Sequence, residues 1–172
     1  MKNKLVMVLL ILILLFTFFN LLKITLNKKF TYQVPNIKGI NSDGDSFNLY
    51  ETNSTFILLI FISSECIHCD AEHNYWNKLY DEYSDHNLKI IGIIYPPDSQ
   101  SEIDIIDEKM QFPTIVDIKG KIYKKYGLDK SEGKKILISG RKKTIIHVDS
   151  AHKNPVVQRV FYEIIKKIAD LS

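Results

Sequence analysis

Seven consecutive apolar residues, Phe56 to Ile62 (FILLIFI), run almost directly into a C-x-x-C pair, Cys66 and Cys69. A run of this length without polar alternation reads as a strand buried on both faces of a parallel or mixed sheet. After Cys69 the segment DAEHNYWNKLYDEY keeps Trp76, Leu79, Tyr80 and Tyr83 at three- and four-residue spacing, which is the pattern of a helix with one apolar face. Asp70 and Glu72 fall in its first turns, where acids suit the helix dipole. A central strand therefore delivers two thiols to the start of a helix, and the chain must build an α/β sheet around that junction.

The other segments fit this requirement. YQVPNIKGI and SFNLYE flank the turn-rich NSDGDS and read as a hairpin with Gly44 in the turn. Leu88 to Tyr95 (LKIIGIIY) is a second buried strand, closed by Pro96 and Pro97. Ser101 to Met110 reads as a helix with Ile103, Ile106 and Met110 on one face, Phe112 to Ile118 as a short strand, and Lys121 to Tyr126 as a helical turn ending at Gly127. Lys135 to Ser139 and Thr144 to Asp149 flank Gly140 to Lys143 as an antiparallel hairpin. In the last helix Asn154 is a good N-cap and Pro155 suits the first position. Val156, Val157, Val160, Phe161, Ile164, Ile165 and Ile168 form the stripe expected to pack on the sheet.

Charge separates the N-terminus from the rest. The chain holds 23 lysines and arginines against 20 acids, net +3, but Lys2, Lys4, Lys23, Lys28 and Lys29 stand in residues 1–29 without an acid. The remainder therefore carries 18 basic and 20 acidic side chains, a net of −2, with Arg141 and Arg159 the only arginines. A near-neutral domain with no arginine cluster offers no footprint for nucleic acid. Leu5 to Leu22 is apolar except for Thr17 and Asn20 and would span about 27 Å as a helix, enough to cross a bilayer core. It ends in NLLKITLNKK without a small-residue cleavage step, the form of an uncleaved signal anchor. The expected organisation is a single-pass anchor over 1–29 and a domain over 30–172 on the extracytoplasmic side of the cell membrane.

Two thiols at the start of a helix support redox or metal chemistry. Helix N–H groups favour a thiolate, so Cys66 is expected to be the more exposed attacking sulfur and Cys69 the resolving one. His68 would stabilise that thiolate when cationic, Glu65 would oppose it, and Glu72 lies about one turn beyond Cys69, where a carboxylate can shuttle a proton. A structural zinc site would need ligands beyond this single pair, such as His68 or His73, and a purely structural disulfide this short would add little loop entropy. His147 and His152 read as a strand and a loop histidine.

The order of FILLIFI, C-x-x-C, a helix, a βαβ unit, a hairpin and a terminal helix is similar to the thioredoxin fold. KIIGIIYPPDS, FPTIVD and GKIYKKYGL between the motif helix and the hairpin resemble the membrane-anchored redoxins of the TlpA/ResA type, within the AhpC/TSA-like group. The resemblance covers about Val34 to Ala169. It implies a thioredoxin-like α/β fold with a central mixed sheet flanked by helices. Cys66 becomes the nucleophile, Cys69 the resolving cysteine and Glu72 the acid that tunes them, with Phe112, Pro113 and Gly127 as landmarks. It also implies thiol-disulfide exchange with protein clients such as apocytochrome c or a copper-protein assembly factor, a membrane electron donor or acceptor, and no cofactor beyond the Cys66–Cys69 disulfide.

Two positions depart from the family pattern. Glu65 stands where tryptophan usually precedes the first cysteine, and Glu132-Gly133-Lys134 stands where a cis-proline usually faces the disulfide, so Gly133 and Lys134 mark the expected substrate-docking edge. The peroxidase pattern P-x-x-x-T-x-x-C has Leu59 and Ser63 in its proline and threonine places, which disfavours peroxidase activity. A thioredoxin-like copper chaperone, with soft thiolates holding Cu(I), and a non-catalytic binding module are the alternatives.

Overall fold

The computed structural model describes residue 17 and residues 33–170, apart from 67, 85–86, 96–98 and 132. The chain divides into two compact units, Met1–Tyr32 and Gln33–Ser172, and the account below concerns the second. The expected span Leu5 to Leu22 lies outside the described residues except for Thr17; among the described residues no helix is long and apolar enough to cross a membrane.

Strands β1 (Lys38–Ile40) and β2 (Ser46–Asn48) pair antiparallel as a small separate sheet, the expected hairpin in shortened form. The main sheet has five strands in the order β5-β4-β3-β6-β7. Here β3 is Phe56–Ile62, β4 Leu88–Ile94, β5 Thr114–Val116, β6 Lys134–Ser139 and β7 Thr144–Ser150. Strand β3 lies in the middle, parallel to β4 and antiparallel to β6, which is why its side chains have no polar alternation. Helices α1 (Cys69–Tyr83) and α2 (Gln100–Lys109) make the crossovers between the parallel strands, α3 (Lys121–Tyr126) follows β5, and α4 (Pro155–Ala169) ends the domain.

Both faces of β3 are buried, in two apolar layers. Leu58, Ile60 and Ile62 pack with Trp76, Leu79 and Tyr83 of α1 and with Phe161 and Ile165 of α4. Ile57, Leu59 and Phe61 face Val34, Ile37, Phe47 and Leu49, with Tyr123 of α3. Strand β5 is shorter than the expected Phe112 to Ile118. Pro113 has no N–H to donate, and Asp117 turns aside to accept the Ile122 and Tyr123 N–H groups at 2.7 and 3.0 Å, starting α3. Gly127 stops α3 in the left-handed conformation, φ 66°.

Helix α4 corrects one expectation. Asn154 caps it as anticipated, its side chain accepting the Val156 N–H, and Phe161 and Ile165 are buried, but Val156 is 68% and Val160 55% exposed. Those valines stand about 100° round the helix from the next residue in sequence. The sheet ends at β7, so only one ridge of the stripe finds cover.

Candidate active site

Strand β3 leads to the cysteines through a loop held on two sides. The Tyr123 hydroxyl donates to the Ile62 carbonyl at 2.8 Å; burial, then the Asp117 carboxylate, push this hydroxyl far above its ordinary range, so it remains a donor. The Ser63 hydroxyl donates to the Lys130 carbonyl, and Glu65 pairs with the Lys130 ammonium at 2.5 Å. Both members of that pair are about half exposed, so it orients the loop more than it stabilises the fold, contributing about 0–1 kcal/mol. The Cys66 N–H then donates to the Ser63 carbonyl and the Cys69 N–H to the Cys66 carbonyl. This turn brings the cysteines to a Cα separation of 5.5 Å, and they form a disulfide at the first residue of α1.

The expected contrast in exposure is not seen: Cys66 is 7% and Cys69 5% exposed. The cause is the segment that covers them. A Cβ placed on Gly133 would lie 2.5 Å from Cys69 Sγ, 2.7 Å from Cys66 Sγ and 2.8 Å from Ala151 Cβ, so the backbone of Gly133 rests on both sulfurs. Its carbonyl accepts the Ala151 N–H at 2.8 Å, tying this edge to the chain after β7. Gly133 thus lies directly against the disulfide, and no peptide bond among the described residues is cis. Lys134, its neighbour, turns its ammonium to the Ser150 hydroxyl at 2.8 Å. His68 is the N-cap residue of α1 but caps nothing with its side chain, and its Nδ1 is buried without a hydrogen-bond partner.

Glu72 is no surface acid. It is 1% exposed, and its two oxygens are fully engaged: Lys135 Nζ donates at 2.9 and 2.8 Å, Trp76 Nε1 at 3.0 Å and the His152 N–H at 2.8 Å. Lys135 is itself 1% exposed and also pairs with Asp149 at 3.0 Å. Sequence reasoning missed Lys135 and Asp149. The available signal was alternation: Lys135 stands two residues before Leu137 in β6 and opposite Ile60 of β3, so its side chain points into the layer that holds α1. Asp149 is its cross-strand neighbour on β7.

Burial alone would raise the Asp149 carboxyl, but the hydrogen bond and charge of Lys135, helped by His152, outweigh it and hold the group below the usual carboxylate range. A depressed folded-state value contributes stability that is present above about pH 4, the ordinary carboxylate region, and is lost as pH falls through the lower folded value. The wild-type urea midpoint is therefore expected to drop below pH 4 more steeply than that of Asp149→Asn. Superimposable acid limbs would show that Asp149 is not held by Lys135.

Beside the disulfide, Ile62, Ile105, Ile106 and Met110 line a pocket of about 180 Å³ whose rim carries the Asp70–Lys109 pair at 2.8 Å. A larger groove of about 890 Å³ lies between β1 and α3 and contains neither cysteine. Among the described residues no three His, Cys, Asp or Glu side chains converge as a metal-binding group.

Residues 30–154 match the model of the AhpC/TSA family. No curated protein sequence gives a match. Solved structures share the fold at low identity. A Chlorobium tepidum structure assigned as a thiol:disulfide interchange protein DsbE is 15% identical with TM-score 0.69, covering 81% of this chain and 96% of that one. StoA from Bacillus subtilis is 19% identical with TM-score 0.61, covering 74% and 98%. Peroxiredoxin Q from Xanthomonas campestris is 16% identical with TM-score 0.61, covering 77% and 92%. The architecture is thus thioredoxin-like, and it is shared by exchange proteins and peroxiredoxins.

Proposed function

Because this chain belongs to the AhpC/TSA family, and its only two cysteines form a disulfide at the head of a helix, we propose that it is a thiol-disulfide oxidoreductase acting on protein clients. The observation that carries this reading is the disulfide at the C-terminal end of the central strand, backed by the buried Glu72 one turn along the same helix. In the reducing direction the Cys66 thiolate attacks a client disulfide and forms a mixed disulfide, and the leaving client sulfur takes a proton. The Cys69 thiol loses its proton to Glu72, attacks Cys66 Sγ and releases the second client thiol, leaving Cys66–Cys69 oxidised. Run in reverse, the same atoms oxidise a client dithiol. The apolar run Leu5 to Leu22 supports a membrane tether with the domain on the extracytoplasmic side, where a membrane donor or acceptor would reset the pair.

Cys69→Ala tests the reading. The variant should accumulate mixed disulfides through Cys66 when exposed to oxidised client proteins, and the Cys66→Ala/Cys69→Ala double variant should trap none. A Cys69→Ala protein that traps nothing would overturn the exchange reading. The reduction potential then assigns direction: a value near about −270 mV supports a reductase, and one near about −120 mV an oxidase. Leu59 and Ser63 replace the peroxidase proline and threonine, so peroxide consumption is expected to be negligible beside disulfide exchange.

A further inference from the structure

The flank of the disulfide holds more ionisable groups than exchange through Glu72 alone requires. Lys135 Nζ sits within 2.9 Å of both Glu72 oxygens, 3.0 Å from Asp149 Oδ2 and 4.6 Å above the Phe161 ring. Asp149 Oδ1 in turn faces His152 Nε2 at 3.3 Å. Exposure rises along this series, from 1% and 2% for the Glu72 and Lys135 side chains to 19% for Asp149 and 38% for His152. Burying an ammonium is costly, and Lys135 occupies a core-facing position where its in-sheet neighbours Ile60 and Leu137 are apolar. An apolar residue would fill that space without the cost, but it would break the side-chain path from Glu72 through Lys135 and Asp149 to His152.

We infer that Lys135, Asp149 and His152 are positioning residues that carry protons between Glu72 and solvent, so that resolution of the mixed disulfide by Cys69 depends on the side-chain path that ends at His152. This rests on the exchange reading given above. In the resolving step Cys69 Sγ bonds to Cys66 Sγ while the bond from Cys66 to the client breaks, and its electron pair leaves with the client sulfur. The Cys69 proton passes to Glu72. Lys135 gives one ammonium proton to Asp149 and takes up the one from Glu72, and Asp149 passes its proton to His152 Nε2 and so to water. Two electrons move from the protein dithiol to the client, and no further reactant is consumed.

The titratable groups facing this series are Glu72 and Tyr75 from α1, Lys135 from β6, Asp149 and His147 from β7, and Tyr162 from α4. Burial, then the Glu82 hydrogen bond, push Tyr162 above its ordinary range. His147 lies against Phe161, with ring centroids 5.8 Å apart, and has no hydrogen bond to the series, so it serves as the control.

The test is stopped-flow reaction of the reduced full chain with one equivalent of 5,5′-dithiobis(2-nitrobenzoate). Attack by Cys66 releases one thionitrobenzoate, and resolution by Cys69 releases the second. In Lys135→Met and His152→Gln the second phase should be slower than in the wild type by at least about tenfold at pH 7, with an altered pH profile, while the first phase stays within about twofold. His147→Gln should match the wild type. Trp76 is the sole tryptophan and bonds Glu72, so a change in its emission should accompany the second phase in the wild type and slow with it in His152→Gln. Should Lys135→Met fail to fold, Asp149→Asn and His152→Gln lie at more exposed positions and carry the same expectation. A normal first phase with wild-type second-phase rate and pH profile in those variants overturns the relay alone. A wild-type protein that releases no thionitrobenzoate overturns the relay and the exchange reading together.

Discussion

Lys135→Met is expected to lower the stability of the domain by about 3–5 kcal/mol, because it leaves the Glu72 carboxylate buried without its counter-charge. Glu72 keeps the Trp76 and His152 N–H donors, but neither brings a full positive charge. The companion change Glu72→Gln removes the stranded charge, so the double variant should lose less than the sum of the singles, by roughly 1–3 kcal/mol of coupling. Both side chains are 2% exposed or less, so solvent screening should not shrink this effect as it does for the half-exposed Glu65–Lys130 pair. Urea denaturation of the four proteins of the cycle measures it. A loss below about 1 kcal/mol in Lys135→Met, or simple additivity, would mean that the two charges are not paired in the folded protein.

The second large effect is expected at Gly133. Alanine there needs no unusual backbone angle, so its whole cost comes from the methyl group, which must displace two sulfurs and Ala151. Overpacking of this kind costs about 1–3 kcal/mol. The disulfide holds both sulfurs under the new methyl, whereas two free thiols can turn their side chains apart. The penalty should therefore fall more heavily on the oxidised form. Since about 30 mV corresponds to 1.4 kcal/mol for this two-electron couple, Gly133→Ala should raise the reduction potential by roughly 20–60 mV. Equilibration with a glutathione or dithiothreitol redox buffer reads the shift. An unchanged potential, together with unchanged stability, would show that the Gly133 backbone does not rest on the sulfurs.

Much of the architecture was legible in the chain. Phe56–Ile62 matches the expected buried strand at both ends, and the helix after Cys69 runs through Trp76, Leu79 and Tyr83 as its period predicts. The α3 stop at Gly127 and the Asn154 cap also fall where expected, because each depends on a local conformation that few residues satisfy. Val156 and Val160 stand exposed against expectation because a helical period says which residues share a face, not how far a sheet extends beneath it. The near-equal burial of Cys66 and Cys69 is not legible in the sequence because the covering segment is about 65 residues away along the chain.

The sequence by itself determined the strand, turn and helix that bring Cys66 and Cys69 together, since hydrophobic period and short-range spacing act within a few residues and need no distant partner. Tertiary structure alone decided the electrostatic setting of that pair. Glu72 is a first-turn acid in the sequence and a buried, four-fold hydrogen-bonded carboxylate in the fold. What changes it is Lys135, delivered 63 residues later by strand β6, with Asp149 and His152 following on β7 and its loop. A charge's environment depends on which segments converge around it, and strand pairing sets that convergence, which spacing along the chain does not encode.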